Sequence, residues 1–310
     1  MAGTFAHITL VNIAKQPAML EAGPGMSADA IASLLDWFKY CELGCVSPDY
    51  PYLSIGSNEP VWADQMHSIE HSGDLVKAGV QAVNLLQGES RRKAFAWILG
   101  YAAHVITDAT IHPVVQLKVG PYEQNKRAHR ECEMHQDAYI FQRMNLGQVG
   151  LSDYLGSGIC ACSDVANAAD LDPDISGIWR GMLQHCYPTR YVANTPDIDR
   201  WHRDFCAVVD GISKEGIKLM PIARHVAVDC GLTYPAPNEI DKNNYITSIE
   251  VPGCRMSYDD VFDKATRHVI EGWHLIADAV FGNDTRYQTA FGCWDLDTGC
   301  DPTGKIVLWS

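Results

Sequence analysis

The chain has 310 residues, 47% of them hydrophobic, which is enough to bury a sizeable core without disulfide staples. Its 38 acidic residues against 24 basic ones leave a formal net charge of -14, which speaks against a partner held chiefly through a nucleic-acid backbone; the one dense basic run is Arg91, Arg92, Lys93. Eleven cysteines at irregular spacing suit neither a closed disulfide framework nor a CxxC zinc ribbon, so most are expected to be buried or free thiols.

The opening MAGTFAHITLVNIAK lacks a basic start and a long apolar segment of the signal-peptide kind, and His7 stands out in its apolar surroundings. With no apolar run of bilayer-spanning length in view, a soluble, cytoplasmic protein is expected. Residues 27–40 have amphipathic spacing behind a Ser27 start and predict a helix. In CELGCVSPDYPYL, Gly44, Pro48 and Pro51 predict irregular backbone that carries Asp49 beside Tyr50 and Tyr52. A polar stretch with Asp64, His67 and His71 then leads into a helix through about Leu86, with Val76, Val80, Val83 and Leu86 as its buried stripe. A further helix begins near Arg91 and is expected to stop near Pro113. Another carries His129 and Glu133. After Asn145 the texture turns to Gly, Asp and Ser without clear period, as in a long functional loop or an insertion. Helical patterning returns over 197–228 with a break at Pro221, and His202 and His225 are taken as structural. Residues 232–256 suggest loop with a short strand over 245–251. A last amphipathic helix begins after Ser257 and stops at Gly282, and the tail to Ser310 is irregular, with turn chemistry in WDLDTGCDPTG.

The densest chemistry lies between Arg91 and Glu133. Phe95, Ile98, Leu99, Ala102, Val105 and Ile106 recur at helical spacing, so this helix is buried, yet His104, Asp108 and His112 ride on it. Steps of four keep the three side chains on nearly one face, with the histidines about 12 Å apart along the axis. A zinc ion sits only about 2 Å from each ligand atom, so one ion does not readily take all three. Either one of them is not a ligand, or the stripe serves two or more metals with Asp108 as a bridge. His129 and Glu133, again four apart, offer a matching pair on the next helix.

Taken in order, His7, Asp49, His67, His104, Asp108, His112, His129 and Glu133 form a series of nitrogen and oxygen donors. With the segments SPDYPYL, WADQMH, GYAAHVITDATIHP and HRECE, the series resembles the zinc-dependent phospholipase C family, whose relatives include the S1/P1 nucleases. The resemblance implies an all-α, multi-helix bundle enclosing a multinuclear zinc site. A single domain over 1–310 is expected, with a metal-binding core at 1–145 and a helical and loop-rich extension at 146–310. It implies two to three zinc ions: one held by Asp49, His67, His104 and Asp108, a second by His112, His129 and Glu133, and a third by His7 with bridging Asp108. Hydrolysis of phospholipids or small phosphodiesters by a metal-activated water follows, with Asp49 orienting or deprotonating that water.

Glu133 separates the chain from the nucleases, which have Asp there and prefer Gln-Pro-Leu where this chain has Ala109-Thr110-Ile111. A nuclease or nucleotidase is the competing enzyme class, and a non-catalytic, metal-stabilised interaction domain the competing class outside enzymes. Nucleic acid is not an expected partner; transient contact with a membrane surface is. Tyr50 stands where the family places an aromatic of its head-group site, whereas Asp64 replaces another. Asp64 is expected either to face the pocket and favour an amino head group or to cap the helix that follows.

Overall fold

The computed structural model describes residues 3–21, 25–146, 149, 151–215 and 234–309. Helix dominates among them, and the regular sheet is one hairpin of β1 (Ile249–Val251) and β2 (Cys254–Met256). In chain order the main helices are α1 (Thr4–Ala14), α2 (Ala28–Asp36), α3 (Phe38–Val46), α4 (Pro60–His67), α5 (Ser72–Leu85), α6 (Gly88–Val119), α7 (Tyr122–Ile140), α8 (Leu151–Ser157), α9 (Pro173–Cys186), α10 (Ile198–Glu215) and α11 (Tyr258–Phe281). The fold is all-α.

Helix α6 is the axle. Every residue from Ala94 to Val115 is buried, because α3, α5 and α11 close around it. It contains a window long and apolar enough to cross a membrane by length and composition, contrary to the expectation from sequence, but that window is wholly buried inside the fold. Its closest neighbour is α3. A Cβ on Gly44 would lie 2.1 Å from Trp97 O, and one on Gly100 would lie 2.0 Å from Cys41 O. Two side-chain-free positions face each other's backbones, and the helices approach as nearly as backbone atoms allow.

Gly44 therefore does not break the chain as its sequence context suggests. The helix predicted over 27–40 instead breaks at Trp37 (φ -115°, ψ 26°), and α3 continues through Gly44 to Val46. The Pro-rich segment that follows is a 3-10 helix, Ser47–Leu53, its prolines admitting that tighter turn. The helix expected through Leu86 is two helices, with His67 ending the first and His71 preceding the second.

Pro113 does not end α6, which runs on to Val119. Proline removes the amide that would bond Ala109 O, a loss that ordinarily bends or stops a helix. Here the C-terminal tail covers the defect: Gly299 packs against Ala109 O and the Pro113 ring, and Trp309 Nε1 donates to Thr110 O at 2.8 Å.

Residues after Asn145 hold more helix than their texture suggests, including α8 and α9, the latter opened by Asp172 accepting from Asp174 N. Of the helix predicted over 197–228, the part to Glu215 is α10; Pro221 and His225 lie outside the described residues. The strand expected over 245–251 is a helical turn to Tyr245 followed by β1. Helix α11 starts in a capping box of Ser257 and Asp260 and stops at Gly282 as expected.

Gly100→Ala tests the α3–α6 crossing. The added methyl has no room beside Cys41 O, so the helices must part, with an expected loss of about 1–3 kcal/mol. Denaturant unfolding measures it, and an unchanged midpoint would contradict the close crossing.

Candidate metal centre

All eight ligand-type residues converge on one buried space. His104, Asp108 and His112 descend α6 a turn apart, His7 comes from α1, Asp49 from the 3-10 segment and His67 from the last position of α4. His129 and Glu133 come from α7. None is more than 5% exposed.

Asp108 sits between the rest. Its Oδ2 lies 3.2 Å from His104 Nε2 and 3.5 Å from His67 Nε2, while Oδ1 lies 3.2 Å from His7 Nε2 and 3.7 Å from His112 Nε2. Beside Oδ2, the ligand atoms of Asp49, His67 and His104 lie within 4.8 Å of one another, and His7, His104 and Asp108 form a second such group. The His67 and His104 Nε2 atoms are 3.1 Å apart. On the Oδ1 side, Glu133 Oε1 is 3.1 Å from His129 Nδ1 and 3.6 Å from His112 Nε2.

Backbone carbonyls orient three of the rings. His67 Nδ1 donates to Ala63 O at 2.7 Å, His104 Nδ1 to Cys45 O at 2.9 Å, and His112 Nδ1 to Leu296 O. A carbonyl can only accept, so in each neutral ring the proton is on Nδ1 and the Nε2 lone pair faces the centre. Helix termini supply two of these arrangements. Cys45 O is among the last carbonyls of α3, which lack an intrahelical partner, and His67 bonds back to Ala63 one turn earlier. The third depends on the tail. Leu296 N donates to His67 O at 3.0 Å while Leu296 O accepts from His112, so one residue ties α4 to α6. Asp49 is placed by its neighbour: Tyr50 stacks on Phe205 at 4.7 Å and fixes the 3-10 segment against α10.

Asp49 Oδ2, His7 Nδ1, His112 Nε2 and His129 Nε2 are buried with no hydrogen-bond partner among the described residues, and Asp49 Oδ1 has the long 3.4 Å approach of His67 Nε2. Each such atom costs about 1–3 kcal/mol when left unsatisfied. So many at one point fit a bound cation, and a set of imidazole nitrogens and carboxylate oxygens fits zinc.

The charges agree. Burial disfavours ionised Asp108, yet His112, His104 and His7 hold its carboxyl well below the usual range. Burial likewise opposes ionised Asp49, and His104 and His67 lower its pKa. Burial pushes His112 down to about 4 and, with His104 adjacent, lowers His7, so both rings stay neutral, as ligands must be. His67 is the exception: burial lowers it, but hydrogen bonds and charge from Asp108 and Asp49 outweigh that and raise it to about 9.

Tyr50, expected in the head-group site, is buried, as are Tyr52 and Trp62. Tyr52 is the ring beside the centre, 5.9 Å from His67, and its hydroxyl donates to exposed Asp64 at 2.7 Å. Asp64 lies inside α4, where Glu59 holds the capping position, so it does not cap. His71 lies outside the cluster and pairs with Asp74 at 3.1 Å; His202 packs among Tyr50, Ser163 and Cys206. Sequence reasoning missed Leu296, whose contribution is backbone alone, and Arg130, a buried guanidinium donating to Glu133 Oε2 at 3.3 Å. Its place one residue after His129 was the available signal.

A helical bundle around a buried, carboxylate-bridged histidine cluster defines a metal-dependent protein. The model of the zinc-dependent phospholipase C family matches residues 6–187, more than half of the chain and all eight residues of the cluster. The chain belongs to that family and is a zinc-dependent phosphodiester hydrolase of phospholipase C type. Comparisons with curated proteins and with solved structures find no significant match.

Two outcomes follow. Gly299 (φ 67°) has Ala109 O and Pro113 Cγ each 2.5 Å from where a Cβ would lie, whereas Gly304 (φ 83°) has open space. Gly299→Ala should push the tail from α6, withdraw Leu296 from His112 and weaken zinc binding by about tenfold or more. Gly304→Ala carries similar backbone strain without the clash and should leave zinc affinity near wild type; equal affinities in the two variants would contradict the role of the tail. Separately, His67 is raised above its unfolded value of 6.5, so in chelator-stripped protein its contribution to stability is full below pH 6.5 and fades as pH rises through about 9. Zinc must displace that proton. Adding zinc at pH 7.5 should release it, a release that calorimetry in buffers of different ionisation enthalpy detects; none at pH 7.5 would count against His67 as a ligand.

Proposed function

We propose that the cluster hydrolyses a phospholipid-type phosphodiester, with Asp49, His67, His104 and Asp108 holding one zinc, His112, His129 and Glu133 a second, and His7 with Asp108 a third. The observation that carries this is the set of buried, partnerless ligand atoms on both sides of the Asp108 carboxylate. Bound there, zinc would supply positive charge for the phosphoryl oxygens and lower the pKa of a coordinated water toward about 7. Asp108, ionised and central, keeps the positive charges of the site close together. Asp49 orients the attacking water and takes its proton: it is held by a short 3-10 segment rather than by a long helix, and its Oδ2 has no hydrogen-bond partner among the described residues while His67 Nε2 stands 3.4 Å from Oδ1. Neutral His7 and His112 compete with no proton for their place.

The head-group side is built from Tyr52 and Asp64. Tyr52 sits beside His67, its ring tilted to the imidazole at 5.9 Å, and its bond to Asp64 Oδ1 leaves the exposed carboxylate one further oxygen. A protonated amine can hydrogen-bond to that acceptor; a trimethylammonium cannot. A phosphoethanolamine-type diester therefore fits at least as well as its choline analogue. A nuclease activity is disfavoured by the net charge of -14.

Asp49→Asn should keep most of the zinc and lower kcat by about 10²–10⁴ on a chromogenic phosphodiester. Zinc content by elemental analysis, beside kcat for phosphoethanolamine and phosphocholine esters and single-stranded DNA, checks both parts. Parallel loss of zinc and activity would make Asp49 chiefly a ligand, and faster cleavage of DNA than of either ester would overturn the phospholipase reading.

A further inference from the structure

Helix α1 begins without a cap of its own. Its N-cap residue is Gly3, which has no side chain to receive the first amides. The missing acceptor comes from another helix. Asp137, on α7 and 1% exposed, accepts from Ala6 N at 2.8 Å through Oδ1 and from Phe5 N at 3.3 Å through Oδ2. Tyr234 donates its hydroxyl to the same Oδ2 at 2.7 Å and sets its ring edge against Phe5 at 5.4 Å. The glycine is part of the device, because a Cβ at position 3 would lie 1.9 Å from Asp137 Oδ2.

Both ends of this clasp adjoin the metal cluster. His7 follows Ala6 directly, and Glu133 precedes Asp137 by one helical turn. Arg130, also on α7 and 4% exposed, bonds Glu133 Oε2, and its charge acts on Asp137 too. An ordinary cap such as serine at position 3 would terminate α1 equally well but would leave its rotation and height against α7 to apolar packing alone.

We propose that Asp137 is a positioning residue for the metal centre: by capping α1 from α7 it sets where His7 stands relative to Asp108. The proposal rests on His7 being a ligand, as assigned above. The backbone amides require an acceptor rather than a charge, and burial already works against the charged form, pushing Asp137 up to about 6 against the hydrogen bond of Tyr234, the charge of Arg130 and the two backbone donors. What the site needs is the acceptor for Ala6 N, the shorter of the two amide bonds, which an asparagine Oδ1 also offers, its Nδ2 then donating to the Tyr234 hydroxyl.

The test compares Asp137→Ala, Asp137→Asn, Gly3→Ala, His7→Ala and the His7→Ala/Asp137→Ala double variant, with zinc stoichiometry and zinc dissociation constants as readouts. Asp137→Ala and Gly3→Ala should each lose or weaken the same zinc that His7→Ala loses, by about tenfold or more in affinity. The double variant should lose no more than His7→Ala alone, and Asp137→Asn should bind zinc close to wild type. Wild-type zinc binding by Asp137→Ala, or a full further loss in the double variant, would reduce Asp137 to a structural cap and overturn the proposal. Should Asp137→Ala fail to fold, Gly3→Ala against Asp137→Asn decides it in the same terms. Zinc binding is read without substrate, so wild-type protein that binds zinc but cleaves no phosphodiester would refute the functional reading and still decide this one.

Discussion

Asp108 is an ionised carboxylate at 0% exposure, and four imidazoles lie within 3.7 Å of its two oxygens. A charge in that position is prohibitively costly unless positive charge surrounds it, and a protonated His67 beside neutral His7 and His112 supplies only part of that. The demand for cations at this point shapes the rest of the molecule. Five separate segments deliver their side chains to it, and each must arrive with the correct nitrogen or oxygen turned inward.

Most of the surrounding structure serves that orientation. Gly44 and Gly100 bring α3 near enough for Cys45 O to fix the His104 ring, so a contact between backbones becomes a choice of tautomer. The tail from Trp294 to Trp309 has the same purpose at the other end of the stripe, covering the Pro113 defect and placing Leu296 between His67 and His112. This tail lies beyond the matched span of 6–187, so a part of the chain outside the matched residues supplies the carbonyl that orients His112. The bundle and the site are not separable layers, and changes in packing far from the zinc ligands reach them through single hydrogen bonds.

The parts of this arrangement that follow helical period were legible in the sequence. His104, Asp108 and His112 announce themselves because polar residues at steps of four interrupt an apolar stripe, and the distance between the histidines meant that either one of the three is not a ligand or Asp108 is shared between metals. His7, Asp49 and His67 carry no such period; only their order within a longer donor series marked them. Local breaker rules failed twice for one reason. Gly44 and Pro113 look like helix ends, but a tertiary neighbour removes the penalty in each case, α6 by packing on the glycine and the tail by covering the proline. Leu296 and Cys45 act through carbonyl groups, and any side chain could stand there. The clasp at Gly3 and Asp137 spans most of the core region, beyond the reach of any local capping rule. Tyr50 and Tyr52 sit two apart and are both buried, yet one stacks on Phe205 of α10 and the other stands beside His67, a distinction their own neighbours in sequence do not set.

The account stands on the claim that zinc occupies the space around Asp108. Anomalous diffraction recorded on both sides of the zinc absorption edge, from crystals grown without chelator, addresses it directly. The account predicts edge-specific peaks beside both Asp108 oxygens, one among Asp49, His67 and His104 and another among His112, His129 and Glu133. Edge-specific density only at the surface, or none near Asp108 in protein exposed to zinc, would contradict it.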